Sequence, residues 1–405
     1  MPKVATKYAL PQFIFSHFSH HVCTGALIPL LPIIRESFGL NYFQLGMLAS
    51  CFSIAYGFGN IPMSVIADRF SRRFIIIFGL IGISLTGIGV GCSRTFWQMM
   101  LFFVIMGIIG ASYHAPASSF ISQMLPIDKR GRGIGLHSIG GSFSFLLTPA
   151  MALGVAYFFN TWRASFFVLA LPPLFAGILL WLTTEETQGD VDVSSGKSKN
   201  PSKNINEVNP AGKKSQLDIS WVQVLRSLGT ITFISTIVLV FSAGVRSYLP
   251  LYMVDHYGVS PKWAGIVISV VAGSGVIGGP LGGALSDRFG RKQVILVSLF
   301  FVGPLLFAMI HSTYGAQLLI SMILYGFTMS VRMPSVESLI ADVVPVDKRT
   351  TVLGIYFFIG METIGIMTPV IGRLIDIYGL DFVFTSVAGG LCLISAIALF
   401  FSKYI

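Results

Sequence analysis

The segment GALSDRFGRK, Gly283–Lys292, has a counterpart in SVIADRFSRR, Ser64–Arg73, 219 residues earlier in this 405-residue sequence. Both contain Asp-Arg-Phe, one variable residue and then two basic residues. Two further matches keep almost the same offset: LPIDKR at 125–130 with VPVDKR at 344–349, and LLTPA around Pro149 with IMTPV around Pro369. The chain is therefore predicted to contain two copies of one unit.

The composition between these motifs is that of a membrane protein. Hydrophobic residues make up 54% of the chain and charged residues 11%, and the mean hydropathy is +0.78. A soluble domain carries about a quarter of its residues as charges. The run Phe74–Cys92, FIIIFGLIGISLTGIGVGC, has no charge and is long enough to cross a bilayer, which takes roughly 20 residues. Similar runs predict twelve transmembrane helices, including single spans over about 11–34 and 97–124.

The predicted spans fall into two groups of six. Residues 1–183 form an N-terminal six-helix bundle, 184–226 a polar cytoplasmic linker, and 227–405 a C-terminal six-helix bundle. If both termini are cytoplasmic, 20 of the 27 Lys and Arg residues lie on the inner side and 5 on the outer side, as the positive-inside rule requires. We therefore expect an all-α, multi-pass protein of the cell inner (cytoplasmic) membrane, in contact with lipids and monomeric. The net charge of +10 is explained by this topology and predicts no nucleic-acid partner.

The repeated loop motif places a carboxylate near a helix start and arginines beside it, where they can pair with it or with lipid phosphates. With parallel six-helix halves, the chain resembles the major facilitator superfamily. The resemblance implies a motif that latches the two halves in one state, formed here by Asp68, Arg69, Arg72, Asp287, Arg288, Gly290 and Arg291. The first copy departs at Ser64 and Ser71, where the family prefers Gly, so its latch is expected to close less tightly.

Within that superfamily the chain is similar to the fosmidomycin-resistance branch. The similar segments are SHF at 16–18, Tyr113-His114-Ala115-Pro116 and LPLYMV at 249–254. The resemblance also implies that spans 1, 4, 7 and 10 line a central cavity. A Gly-Pro pair in span five, typical of drug–proton antiporters, is matched only in part around Thr148-Pro149, which weakens an exporter interpretation.

Ionisable groups inside spans are costly and point to function. His17, His20 and His21 have the spacing of one helix face, and His114, Arg246 and Arg332 lie in the other three implied cavity spans. This convergence predicts a cavity that binds an organic anion. Its candidate residues are Arg246, Arg332, His114, Tyr113, His21 and Tyr356.

An alternative is that the two arginines form buried ion pairs with Glu337 and Glu362 and no binding site exists. His137 is expected to hydrogen-bond between helices. Coupling protons are expected to be carried by His17, His20, Glu337 or Glu362, which can gain or lose a charge. Metal ligation by the histidine triplet is not expected, because no aspartate lies nearby in the first span, and no cofactor is expected.

These patterns predict a secondary active transporter of a small organic solute, an organic anion, coupled to protons through alternating access. One alternative is drug or metabolite efflux by proton antiport. Another, of a different class, is a non-transporting membrane sensor or scaffold on the same fold. An enzyme is not expected, because the sequence contains no recognisable nucleophile–base set or metal spacing, and no Walker-type motif for ATP.

Overall fold

The computed structural model describes residues 6–69, 71–124, 130–184, 221–343 and 346–400. Every regular element in these ranges is an α-helix. The helices are α1 (Thr6–Thr24), α2 (Leu27–Phe38), α3 (Tyr42–Arg69), α4 (Arg72–Cys92), α5 (Phe96–Gly110), α6 (His114–Met124), α7 (Arg130–Phe158), α8 (Trp162–Thr183), α9 (Trp221–Asp255), α10 (Pro261–Phe289), α11 (Arg291–Ile310), α12 (Ala316–Val343), α13 (Val346–Tyr378) and α14 (Leu380–Phe400).

Two of the predicted spans, over about 11–34 and 97–124, each consist of two helices separated by a short break. The first is interrupted at Gly25 and Ala26 and the fourth between Gly110 and His114. Each break lies four residues before a proline, Pro29 and Pro116. Proline has no N–H for the helical bond to the residue four positions earlier, and its ring clashes with that carbonyl. Each proline therefore removes a helical hydrogen bond to a residue of the break that precedes it.

The helices are long and apolar enough for a membrane protein. In the described ranges, ten helical stretches could cross a bilayer by length and composition. Many of their large apolar side chains are exposed, among them Leu85, Leu101, Leu171 and Leu393. An exposed apolar surface of this extent is expected where helices face lipid. The exact number of twelve spans and the side on which the termini lie stay predictions, and the linker lies largely outside the described residues, with α9 beginning at Trp221.

The halves meet along two helix pairs, α3 with α13 and α7 with α10. Gly46 packs so closely against α13 that a Cβ there would lie 2.6 Å from the Cα of Pro369. The equivalent residue of the second repeat, Gly265, packs against α7, where a Cβ would lie 3.5 Å from the carbonyl oxygen of Pro149. The duplication read from the sequence is therefore visible as a repeated contact between halves, made by small residues that let backbones approach.

Polar contacts join the halves at one end of the bundle, which we call the Arg35 end: residues 35–44, 255–262 and 376–381. Asp255 of α9 forms an ion pair with Arg35 of α2 and accepts a hydrogen bond from the hydroxyl of Tyr42. Asp376 of α13 accepts hydrogen bonds from the backbone N–H groups of Tyr42 and Phe43, both at 2.9 Å. These contacts tie the start of α3 to the C-terminal half.

The loop motifs lie at the opposite end. In the second copy Asp287 pairs with Arg291, whose guanidinium also donates to the hydroxyl of Ser286 at 2.7 Å. Gly290 has a φ of +96°, a conformation that favours glycine. In the first copy Ser71 is extended and its hydroxyl accepts from the N–H of Phe74 at 3.1 Å, which caps α4. Ser71, which stands in place of glycine, thus fits the extended backbone of the first copy. The side chains of Asp68 and Arg69 lie outside the described residues.

Candidate functional site

Five histidines from three helices meet in the N-terminal half, and we call them the histidine cluster: His17, His20, His21, His114 and His137. Helix α1 contributes the first three on one face, as the spacing predicted. His114 is the first residue of α6, directly after the break in the fourth span, and His137 lies on α7. Because the fourth span is broken just before His114, this residue begins a new helix, and its ring contacts the rings of His17 and His21 on α1.

His114 is the centre of the cluster. Its Nε2 lies 3.2 Å from Nε2 of His17 and 3.1 Å from Nε2 of His21. Its other nitrogen, Nδ1, lies 2.7 Å from the hydroxyl of Tyr56 on α3. His21 and His114 are half-buried, whereas His17 is buried. The half-buried rings offer polar atoms to the space between the halves.

The other histidines of the cluster form hydrogen bonds with the backbone and with Tyr113. His17 donates from Nδ1 to the carbonyl of His137 at 2.9 Å, because a carbonyl oxygen only accepts. The ring of His137 contacts the Tyr113 hydroxyl at 3.2 Å, and that hydroxyl donates to the carbonyl of Phe13 at 3.1 Å. His20 is buried, with Nε2 3.1 Å from the carbonyl of Gly110. Tyr113 and His20 therefore lie in the packed interior and not on an accessible wall.

Arg246 reaches the cluster from the other half. Its guanidinium carbon lies 5.3 Å from the centre of the Phe145 ring of α7, within cation–π range. The Phe145 ring in turn lies 5.0 Å from the ring of His21. The Arg246 residue is exposed, and among the described residues no carboxylate pairs with it. The guanidinium of Arg246 thus lies over Phe145 and within electrostatic range of His21 across the interface.

Arg332 occupies a separate position. It is 3% exposed and donates to the carbonyl of Ser235 on α9 at 3.4 Å. Ser235 lies eleven residues before Arg246 on that helix, about 16 Å along the axis. The structure therefore does not bring the two arginines to one level. The phenols of Tyr325 and Tyr356 lie within electrostatic range of Arg332.

Glu362 lies at the interface between α3 and α13. Its Oε1 contacts the position where Gly57 would carry a Cβ, and this buried oxygen has no hydrogen-bond partner among the described residues. In this arrangement Glu362 forms no ion pair with Arg246 or Arg332. The side chain of Glu337, the other predicted partner, lies outside the described set.

Sequence reasoning missed several residues that the structure makes central. Phe145 resembled any other apolar residue of a span, and Tyr56 resembled a general membrane aromatic. Asp255 and Asp376 lie near span ends, where charges are common. One signal was available for Asp376: it lies seven residues after Pro369, whose repeat-matched segment packs against α3.

The comparisons with known proteins agree with this architecture. The sequence profile of the Major Facilitator Superfamily matches residues 13–361 and, in a second match, 231–405. The fosmidomycin resistance protein of Escherichia coli strain K12 is 22% identical over 379 residues, covering 91% of this chain and 86% of that protein. The glycerol-3-phosphate transporter of Bacillus subtilis strain 168 is 24% identical over 353 residues, covering 82% of this chain and 77% of that protein.

A solved structure supports the same fold. A bacterial homologue of the human lysosomal transporter Spinster, in an inward-facing and unoccupied conformation, superposes with a TM-score of 0.79 at 19% identity, covering all of this chain and 98% of that one. The curated relatives are membrane transporters and not enzymes. Because the family profile matches residues 13–361 and 231–405, this chain belongs to the Major Facilitator Superfamily and is a membrane transporter.

Proposed function

We propose that this protein is a proton-coupled secondary transporter of a small organic anion. The observation that carries the proposal is Arg246, an exposed residue of the C-terminal half whose guanidinium lies over the Phe145 ring of the N-terminal half and within electrostatic range of His21. An anion held there contacts both halves at once. A ligand that contacts both halves changes affinity when they rock, which is the requirement of alternating access.

The chemistry of the site favours an anion with several oxygen atoms. Arginine presents a planar fork that matches carboxylate or phosphate oxygens. Phe145 keeps the guanidinium in place through its ring face without consuming its N–H donors. The curated similarity to a glycerol-3-phosphate transporter supports a substrate of this class. Arg332 and Tyr356 form a second polar position deeper along α9, which a substrate would meet on its way to one side of the membrane.

Proton coupling is proposed to occur at Glu362. Glu362 is half-buried, and its buried Oε1 has no hydrogen-bond partner among the described residues, which is costly when the carboxylate is charged. Its contact with Gly57 lies on the α3–α13 interface, which has to separate when the bundle opens at the Arg35 end. Proton uptake or release there would bias the packing of the two helices. The coupling roles expected for His17, His20 and Glu337 stay predictions.

The proposal includes the topology from the sequence: twelve spans with both termini cytoplasmic, in the cell inner membrane, as a monomer. In that orientation the Arg35 end is the outer end. The contacts of Asp255 and Asp376 would then hold the transporter closed to the outside.

Counterflow in proteoliposomes tests the substrate class. Vesicles loaded with an unlabelled phosphate ester, carboxylate or phosphonate are diluted into a labelled trace of the same compound. We expect accumulation for one anion class and at least a tenfold loss in Arg246→Gln, with partial activity in Arg246→Lys. Arg163→Gln is the matched control, because Arg163 lies at the Arg35 end and donates to the carbonyl of Ser93 at 2.8 Å. Exchange that is equally fast in Arg246→Gln contradicts the proposal.

Coupling is tested by comparing counterflow with uptake driven by a pH gradient. We expect Glu362→Gln to keep counterflow but to lose gradient-driven uptake, since exchange needs no net proton movement. Glu36→Gln, at an exposed site on α2, is the control for removing a carboxylate. Gradient-driven uptake that is unchanged in Glu362→Gln excludes this residue as the coupling group.

A second candidate function is efflux by proton antiport, favoured by the similarity to a multidrug resistance protein of Escherichia coli, which is 26% identical over 330 residues. It predicts counterflow of neutral or cationic drugs that does not require Arg246. A non-transporting sensor predicts that a ligand raises the melting temperature but that no member of the panel undergoes counterflow.

A further inference from the structure

The three nitrogen atoms that converge in the histidine cluster form an arrangement that hydrogen bonding does not explain. One ring nitrogen from each of His17, His21 and His114 lies within 4.8 Å of the other two. Nε2 of His114 makes both close contacts, at 3.2 and 3.1 Å. A ring nitrogen carries either one proton or one lone pair. At most one of these two contacts can therefore be a linear N–H···N hydrogen bond.

We infer that His17, His21 and His114 bind a divalent transition metal ion of the zinc class through their Nε2 atoms. A Zn–N bond is about 2.0–2.1 Å long, so two nitrogens on a tetrahedral ion lie about 3.3–3.4 Å apart. The two observed separations lie within about 0.3 Å of that value. An ion between the rings accepts all three lone pairs, which satisfies both contacts of His114 at once.

The atoms behind the three rings match the outer shell of a metal site. A ligating histidine usually donates its second N–H to a carbonyl or carboxylate, which fixes the tautomer and aims the lone pair at the ion. His17 does this through Nδ1 to the carbonyl of His137. Nδ1 of His114 lies 2.7 Å from the Tyr56 hydroxyl. In both rings the supported nitrogen is Nδ1, which leaves Nε2 for the metal.

The sequence spacing supplies two of the three ligands. His17 and His21 are one helical turn apart, so their rings point to the same side of α1. The third ligand, His114, comes from α6 and owes its position to the break at residues 111–113. Sequence patterns do not predict this break. In the sequence, the lack of an aspartate in the first span argued against a metal site. His114 removes that objection, because it supplies a further ligand from another helix.

His21 and His114 are half-buried, so a fourth coordination position can open toward the space that Arg246 faces. Three imidazoles with one open position are the ligand set of an exchangeable zinc site and not of a closed structural one. An oxygen of an anion could occupy that position. This last point rests on the proposed function, whereas metal binding itself rests on the three histidines alone.

Cobalt substitution tests the inference without any transport measurement. Purified, chelator-treated protein is titrated with Co²⁺, and visible absorption reports four-coordinate geometry. We expect one ion per chain, displaced by one equivalent of Zn²⁺. Affinity should fall at least about 100-fold in His17→Ala, His21→Ala or His114→Ala, since loss of an outer-shell partner alone costs about 10–100-fold. His311→Ala is the matched control, because His311 lies outside the group of three histidines.

Two readouts keep the test decisive if a variant folds poorly. Gel filtration and melting without metal identify misfolded variants. X-ray absorption of the zinc-loaded wild type counts its ligands, and three imidazoles at about 2.0 Å are expected. No Co²⁺ band in the wild type, a band that persists with two ligands replaced, or fewer than two imidazoles on the zinc overturns the inference. Failure of counterflow in the same preparation contradicts the transport proposal and leaves the metal result intact.

Discussion

Replacing Gly46 with alanine is expected to open the Arg35 end of the bundle. A Cβ at this position would lie 2.6 Å from the Cα of Pro369 and in closer contact with the Tyr248 hydroxyl. Ordinary carbon contacts are about 3.5–4.0 Å, so α3 and α13 must separate by about 1 Å here. The Tyr248 hydroxyl now donates to the carbonyls of Tyr42 and Thr368, at 2.9 and 3.0 Å, and this bridge is disturbed as well.

The magnitude follows from overpacking. Adding a methylene to a tight interface costs about 1–3 kcal/mol. In a conformation with these helices apart the methyl group meets no backbone, so the cost falls on the closed state alone. A difference of about 1–3 kcal/mol shifts the equilibrium roughly 5- to 150-fold toward opening at the Arg35 end.

Distances between spin labels measure this shift. Labels at Ser37→Cys and Ser260→Cys lie at exposed sites of the two halves, in a background without native cysteines. We expect Gly46→Ala to add a longer-distance population. Gly154→Ala is the matched control, because a Cβ there meets nothing within 4 Å. The reasoning is refuted if Gly46→Ala folds and keeps the wild-type distance distribution, or if Gly154→Ala produces the same shift.

Three further changes test the contacts between the halves. Asp255→Asn removes the ion pair with Arg35, in which the two side chains are 30% and 32% exposed. The cost to the closed state is about 1 kcal/mol, so the same labels should show a several-fold rise in the open population. Asp376→Ala leaves two N–H groups at the start of α3 without their acceptor and should weaken closure by about 1 kcal/mol, seen as faster hydrogen exchange there. Phe145→Leu removes the ring beneath Arg246 and should raise the KM for the transported anion several-fold, as expected for about 1 kcal/mol, with little change in the melting temperature; an unchanged KM would contradict the assigned contact.

The fold was predictable because its main signals are strong. Uncharged runs such as Phe74–Cys92 and the repeat of Asp68 at Asp287 indicate a duplicated membrane protein before any contact is known. The breaks at Gly25 and at residues 111–113 were missed because hydropathy averages over a window and does not register a missing hydrogen bond. The prolines that follow them are visible in the sequence but are common within membrane helices.

The candidate site was predictable only in part. Helix period alone placed His17 and His21 on one face. The convergence of His114 with them depends on the break in the fourth span and on the distance between two helices, which sequence does not supply. The pairing of Arg246 with Arg332 on one substrate was expected from their places in two cavity spans, but Arg332 bonds to Ser235, which lies about 16 Å from Arg246 along the axis of α9.

The most direct measurement is proton movement in proteoliposomes that contain a pH dye, after addition of the anion identified by counterflow. The account predicts proton flux with the wild-type protein, none with Arg246→Gln because the substrate no longer binds, and none with Glu362→Gln although counterflow persists. Anion-dependent proton flux that survives Arg246→Gln would contradict the assignment of the central site.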